Sequence, residues 1–210
     1  MLTKRLNQMV KNRNEAEIAI LNAAKSVFSV KGKDGATMQE IANEAGINKA
    51  LLHYYFRNKD LLFEEVFFDA VKKFSPILKH AIAQEVDLYQ KIQQICEAYI
   101  TMAIENPFVP VFVLSEVNKQ PEIFIQKMFH GDLPDFPKLT AQINKEVSLG
   151  NIKPIPPQHL ILNMMSMCVF TFVFKPIFII GMQADKKLFD QLMLERIKIV
   201  PQFIIDSIKK

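Results

Sequence analysis

Between Thr37 and Lys59 the chain sets out a close series of hydrogen-bonding and cationic side chains: Thr37, Gln39, Asn48, Lys49, His53, Tyr54, Tyr55 and Lys59. None of them has the neighbours that catalysis needs. The chain shows no Gly-rich phosphate loop, no metal-ligand spacing and no Ser/His/Asp or Cys/His set, so neither an enzyme, a metal site nor a cofactor is expected. His80, His130 and His159 are scattered, and Glu64-Glu65 reads as solvated charge on a helix. Ammonium, imidazole, phenol and amide groups on a short helix suit a different chemistry, hydrogen bonding to phosphate oxygens and base edges of double-stranded DNA. Lys49, in the first turn of its predicted helix, can pair with guanine O6 and N7. Lys59, at the start of the following helix, can reach a phosphate alongside the N-terminal amides there.

These groups must be held by the elements around them. Thr37-Met-Gln-Glu40 is a capping box, in which the Thr37 hydroxyl accepts from the third backbone N–H and Glu40 reaches back. Ile41, Ala42 and Ala45 give the helix that follows one short apolar face, and Gly46 ends it. Ile47 is the apolar residue of the turn, and Asn48 caps a second helix to Phe56, with Leu52 and Phe56 as its inner anchors. Lys49, Leu51, His53, Tyr54 and Tyr55 then project outward or toward the rim. Two helices this short are stable only when packed on a third. The stripe Ala16, Ile20, Ala23, Ala24, Val27 and Phe28 supplies it, with Gly32 as its stop. The arrangement is a helix-turn-helix.

The totals agree. The net charge is +4, and residues 1–60 carry all of it: ten Lys/Arg against six Asp/Glu there, sixteen of each in residues 61–210. A phosphate-binding module has that bias. Six glycines and eleven prolines in 210 residues favour helices with defined breaks over an all-β fold. Leu2 to Arg13 is polar and basic, a frayed arm or the lead-in to the first helix. Asn58 and Asp60 open a fourth helix, and the helices lengthen after Pro76. Spans 88–105, 111–117, 139–149, 160–181 and 188–208 are helical, with loops at 131–137 and 150–157. Cys96 and Cys168 lie far apart, which fits a reducing cytosol better than a disulfide framework. No apolar secretory segment stands at the start. Leu160 to Gly181 is long enough to cross a membrane, but Asn163, Ser166, Thr171 and the Lys175-Pro176 pair speak for a dimer core or ligand cavity instead, so no membrane is expected. Residues 102–182 are rich in Met and Phe. Met102, Phe112, Phe124, Met165, Phe170 and Phe174, and with them Phe108, Phe129, Met164 and Phe172, are candidates to line a flexible apolar pocket, or they are plain core.

The run from Ile20 to Leu62 resembles the tetracycline-repressor-like (TetR/AcrR) transcriptional regulators. The likeness covers about residues 18–66 and rests on Ile20-Leu21, Ala23-Ala24, Phe28, Gly32, Thr37, Ile41-Ala42, Ala45-Gly46-Ile47, Leu52, Tyr55-Phe56, Lys59 and Leu62, in order and without gaps. It implies an all-α fold: a three-helix helix-turn-helix domain at 1–57 and a helical ligand-binding and dimerisation domain at 58–210. It also implies a cytoplasmic homodimer that binds operator DNA and answers to a small-molecule effector of unknown identity. A helical DNA-binding or adaptor protein without a ligand is the alternative. By position, Thr37, Gln39, Lys49, Ala50, Leu51, His53, Tyr55 and Lys59 match DNA-contacting residues. His53 stands where the family usually has tyrosine, making that phosphate contact weaker or pH-dependent. Ala50 replaces a common glycine, and Leu51 a small or polar residue.

Overall fold

A computed structural model describes the backbone of residues 2–210 and the side chains from Glu15 onward. The chain divides into two compact units, Met1–Asp69 and Ala70–Lys210.

In the first unit α1 (Leu2–Gly35) is interrupted at Gly32, whose φ of +68° is open to glycine without strain. The expected stop at Gly32 is therefore present as a kink. The helix begins at Leu2, so of the two readings of residues 2–13 the lead-in to the first helix holds and the frayed arm does not. The side chains of that stretch, including Lys4, Arg5, Lys11 and Arg13, lie outside those described. Two short helices follow, α2 (Met38–Glu44) and α3 (Lys49–Tyr55), and then α4 (Lys59–Ala83), which passes from the first unit into the second. Ile20, Ala24 and Phe28 of α1, Ile41 and Ala42 of α2, Leu52 of α3, and Leu62, Phe63 and Phe67 of α4 form the buried centre of the first unit. Phe28 meets Phe63 edge to face, with ring centroids 4.7 Å apart.

Pro76 lies inside α4, which runs through it to Ala83. Proline removes the N–H that would bond Lys72, and Lys72 is exposed, so water can take the freed carbonyl. The far end of α4 is held by side chains. Lys91 Nζ donates to Ile82 O at 2.8 Å, Lys138 Nζ to Ala83 O at 2.7 Å, and Gln142 to Val86 O at 2.8 Å. Cations at a helix C-terminus complement its dipole. Burial, followed by the charge of Lys138, holds the Lys91 ammonium below its ordinary pKa.

The second unit adds α5 (Leu88–Glu105), α6 (Phe108–Val117), α7 (Pro121–Phe129), α8 (Phe136–Ser148), α9 (Pro157–Gly181) and α10 (Lys186–Ile208). No strand occurs among the described residues; the one bridge, Ile152 to Lys209, fastens the α8–α9 loop to the end of α10, helped by Lys153 N–H donating to Ile208 O at 2.8 Å. Pro110 sits in the first turn of α6, where a missing N–H costs nothing. The core is built mainly by α5, α9 and α10, through residues such as Ile92, Ile100, Met164, Phe172, Val200 and Ile204. Cys96 and Cys168 are both buried free thiols in this core. A hydrogen bond with Cys168, reinforced by burial, pushes the Cys96 thiol far up and keeps it protonated.

α9 is apolar on nearly every side. Leu160, Met164, Cys168 and Phe172 point into the core, while Leu162, Phe170, Phe174, Ile177 and Ile180 are exposed. By length and composition alone it could span a membrane, and only 17% of its most apolar window is buried. Ile199 and Phe203 of α10 are exposed as well.

Candidate nucleic-acid interface

The geometry of the turn between α2 and α3 comes from local backbone chemistry. Gly46 N–H bonds Asn43 O at 3.1 Å and Ile47 N–H bonds Ala42 O at 3.0 Å, with Gly46 at φ +66°. That pair of bonds is a Schellman end, and it satisfies carbonyls that the last turn of α2 leaves open. At the other end of α2 the capping box is complete: Glu40 N–H donates to Thr37 Oγ1 at 3.2 Å, and Thr37 N–H to Glu40 Oε2 at 3.0 Å. Lys31 Nζ bonds Glu40 Oε1 at 2.6 Å, and this bond, followed by those from Thr37, holds the Glu40 carboxyl below its ordinary range. Asn48 Oδ1 accepts from Leu51 N–H at 2.8 Å and so caps α3.

On α3 the sides separate as the spacing predicts. Leu52 is fully buried and Phe56 nearly so. Lys49, Ala50, Leu51, His53 and Tyr54 are exposed, Tyr54 at 71%, and Tyr55 is half-buried with its ring edge-on to Tyr54 at 5.5 Å. His53 Nδ1 lies 3.1 Å from Arg57 O, which fixes the ring while leaving the rest of the imidazole at the surface. Thr37 and Gln39 are exposed on α2 and its cap, Gln39 donating to Asn43 at 2.9 Å. The candidates of residues 37–55 are thus exposed or half-buried on α2, α3 and their caps. Asn48 belongs there by position, but its side-chain oxygen is committed to the helix cap.

Lys59 has a different setting from the one expected. Its ammonium donates to Ala36 O at 2.9 Å and Asp34 O at 3.2 Å, tying the start of α4 to the α1–α2 link. Two of its three donors are used, so Lys59 acts here as a strut beneath Thr37. We expect Lys59→Met to lower the stability of the first unit by about 1–2 kcal/mol, since charge-assisted bonds at a half-exposed site are worth less than buried ones. The salt dependence of DNA binding should keep its slope in that variant. A slope reduced by about one would mark Lys59 as a phosphate contact instead.

A helix pair with this cap, this glycine turn and this outward row matches a known sequence pattern: residues 20–66 fit the model of bacterial regulatory proteins of the tetR family. Over those residues the chain is similar to the tetR family. Among relatives, the HTH-type transcriptional regulator RutR of Escherichia coli K12 is 28% identical over 144 residues, covering 68% of this chain and 67% of RutR. IcaR of Staphylococcus aureus strain Newman, the HTH-type negative transcriptional regulator of the biofilm operon icaADBC, is 27% identical over 133 residues, 61% of this chain and 66% of IcaR. Among solved structures, the hemolysin II regulator HlyIIR aligns at TM-score 0.60 and 23% identity, over 94% of this chain and 99% of its own. Bacillus subtilis FadR, solved with stearoyl-CoA, aligns at TM-score 0.56 and 14% identity, over 90% and 97%. The fold of this chain is shared with both.

Within the second unit, α4, α5, α6, α7 and α9 line a half-open cavity of about 370 Å³. Of the candidates, Met102, Phe129, Met165 and Phe170 line it. Phe112 and Phe124 do not; both are buried and pair with each other at 6.1 Å, because the inner faces of α6 and α7 meet there. Phe174 stacks on Phe170 at 5.7 Å, one turn beyond the lining. Tyr99, Val109 and Met128 line the cavity without having been candidates. Tyr99 carried a usable signal, a phenol on the apolar side of α5 between Cys96 and Met102.

Proposed function

We propose that the chain is a homodimeric DNA-binding repressor of transcription, acting in the cytoplasm, whose grip on operator DNA is released by a small molecule held in the second unit. The observation that carries the DNA reading is α3: Leu52 and Phe56 anchor it while Lys49, Ala50, Leu51, His53 and Tyr54 stand in the open. A helix of that kind enters a major groove, its first turn toward base edges and its phenols and imidazole toward phosphates. The names of RutR and IcaR, transcriptional regulators both, support the same reading.

The exposed apolar residues of α9 and α10 support pairing with a second copy. Leu162, Phe170, Ile177 and Phe203 exceed what a monomer leaves in water, and a bilayer suits α9 poorly because its other side is packed into the core. In the dimer, recognition helices about 34–36 Å apart read successive turns of one DNA face. α4 supplies Val71 and Phe74 to the cavity, and its first residues belong to the DNA-binding unit. A ligand that prefers one setting of α4 shifts the population toward helix spacings that no longer fit the duplex.

A gel-shift series against salt, using duplexes selected from a random pool, tests the reading. Log affinity should fall with log salt by roughly 0.9 for each phosphate neutralised, with a total slope well above one. A flat response sinks the proposal.

A further inference from the structure

We infer that the cavity of the second unit takes an uncharged, largely apolar molecule, oriented by one hydrogen bond to the Tyr99 hydroxyl. The inference deepens the ligand-release reading and rests on it only for its biological meaning. Phe74, Phe129 and Phe170 give the cavity aromatic walls, Met102, Met128 and Met165 give it adaptable thioethers, and the remaining lining is aliphatic apart from Tyr99 and Ser166. No lysine, arginine, histidine or carboxylate lines it. An anion or cation entering this space would exchange water for groups that cannot answer its charge, whereas a neutral apolar body loses nothing polar. The volume, about 370 Å³, is at the small end of the range of about 300–1,000 Å³ typical of small-molecule sites. Methionines let such a wall adapt to shape, so the lining selects by charge more sharply than by outline.

Tyr99 supplies the one anchored polar group. Its ring meets Phe74 edge to face at 4.7 Å, which fixes where the phenol points. No described residue makes a hydrogen bond to its hydroxyl, and burial raises the hydroxyl above its ordinary pKa, so it stays a protonated donor at neutral pH. Ser166 borders the cavity and also a notch between α9 and α10, so it sits at the rim. A polar group held at a fixed place in an apolar pocket sets orientation and rejects analogues that lack the partner.

The test uses the full chain, without DNA, and probes that share a skeleton but differ in charge. N-phenyl-1-naphthylamine is neutral, and 8-anilino-1-naphthalenesulfonate is nearly the same molecule carrying a sulfonate. The neutral probe should bind saturably and at least tenfold tighter, and Val113→Trp, which fills the space from α6, should abolish that binding. In competition, 1-naphthol should displace the neutral probe roughly three- to tenfold more tightly than 1-methylnaphthalene, and Tyr99→Phe should erase the difference. Equal or tighter binding of the sulfonate, preference for the lipophilic cation rhodamine 6G, or no saturable site at all would each overturn the inference. If Val113→Trp does not fold, the naphthol comparison in Tyr99→Phe decides alone. Because DNA is absent, failure of the operator reading leaves these results standing, and their failure leaves the DNA result untouched.

Discussion

Leu52→Ala is expected to cost the first unit about 2–5 kcal/mol, the range for truncating a fully buried leucine. Leu52 has no exposed surface and is the central anchor of the seven-residue α3. A helix of that length has no stability of its own, so the cavity left under it is not shared with other turns. A unit of some seventy residues holds in total only about 3–10 kcal/mol. The substitution should therefore cancel much of it and take DNA binding away with it. Amide hydrogen exchange gives the reading: protection in α1 to α3 should collapse while α5 and α10 keep theirs. Tyr54→Ala is the control, since Tyr54 is exposed and its removal should change stability by less than about 0.5 kcal/mol. A loss below about 1 kcal/mol in Leu52→Ala would show that α3 is held by something other than its buried anchor.

Lys49→Ala should leave the fold alone and weaken binding to the selected operator by about 1–3 kcal/mol, relaxing preference at one base pair. Lys49 is the first residue of α3 and is exposed, and the cap is made by Asn48, so the substitution does not disturb the helix start. The measurement is a set of titrations on the operator and on duplexes changed at each position. Uniform weakening across all of them would assign Lys49 to a phosphate, and unchanged affinity would remove it from the interface.

The parts of the structure legible in the sequence are those that a few neighbouring residues decide. The capping box of Thr37 and Glu40, the Asn48 cap, the Gly46 turn and the inner pair Leu52 and Phe56 all depend on contacts within about five positions, and each is present. What escaped depends on distance along the chain. The bonds of Lys59 run back 23 and 25 residues, and nothing in the local pattern reveals that its ammonium already has carbonyl partners. The cavity draws on five helices. Composition marked Phe112 and Phe124 as apolar but not which neighbour they would meet, and passed over Tyr99 because one phenol among many apolar residues looks like core. The far end of α4 stays open in the sequence, because the cost of Pro76 inside a helix depends on whether the orphaned carbonyl faces water.

Lys91, its side chain nearly sealed from solvent while it holds the last turn of α4, makes the second unit self-reporting. Acylating reagents that mark surface amines cannot reach it until that unit opens. Mass-spectrometric mapping of labelled lysines therefore separates loosening of the C-terminal bundle from loosening of the DNA-binding end, in one sample and without any engineered probe.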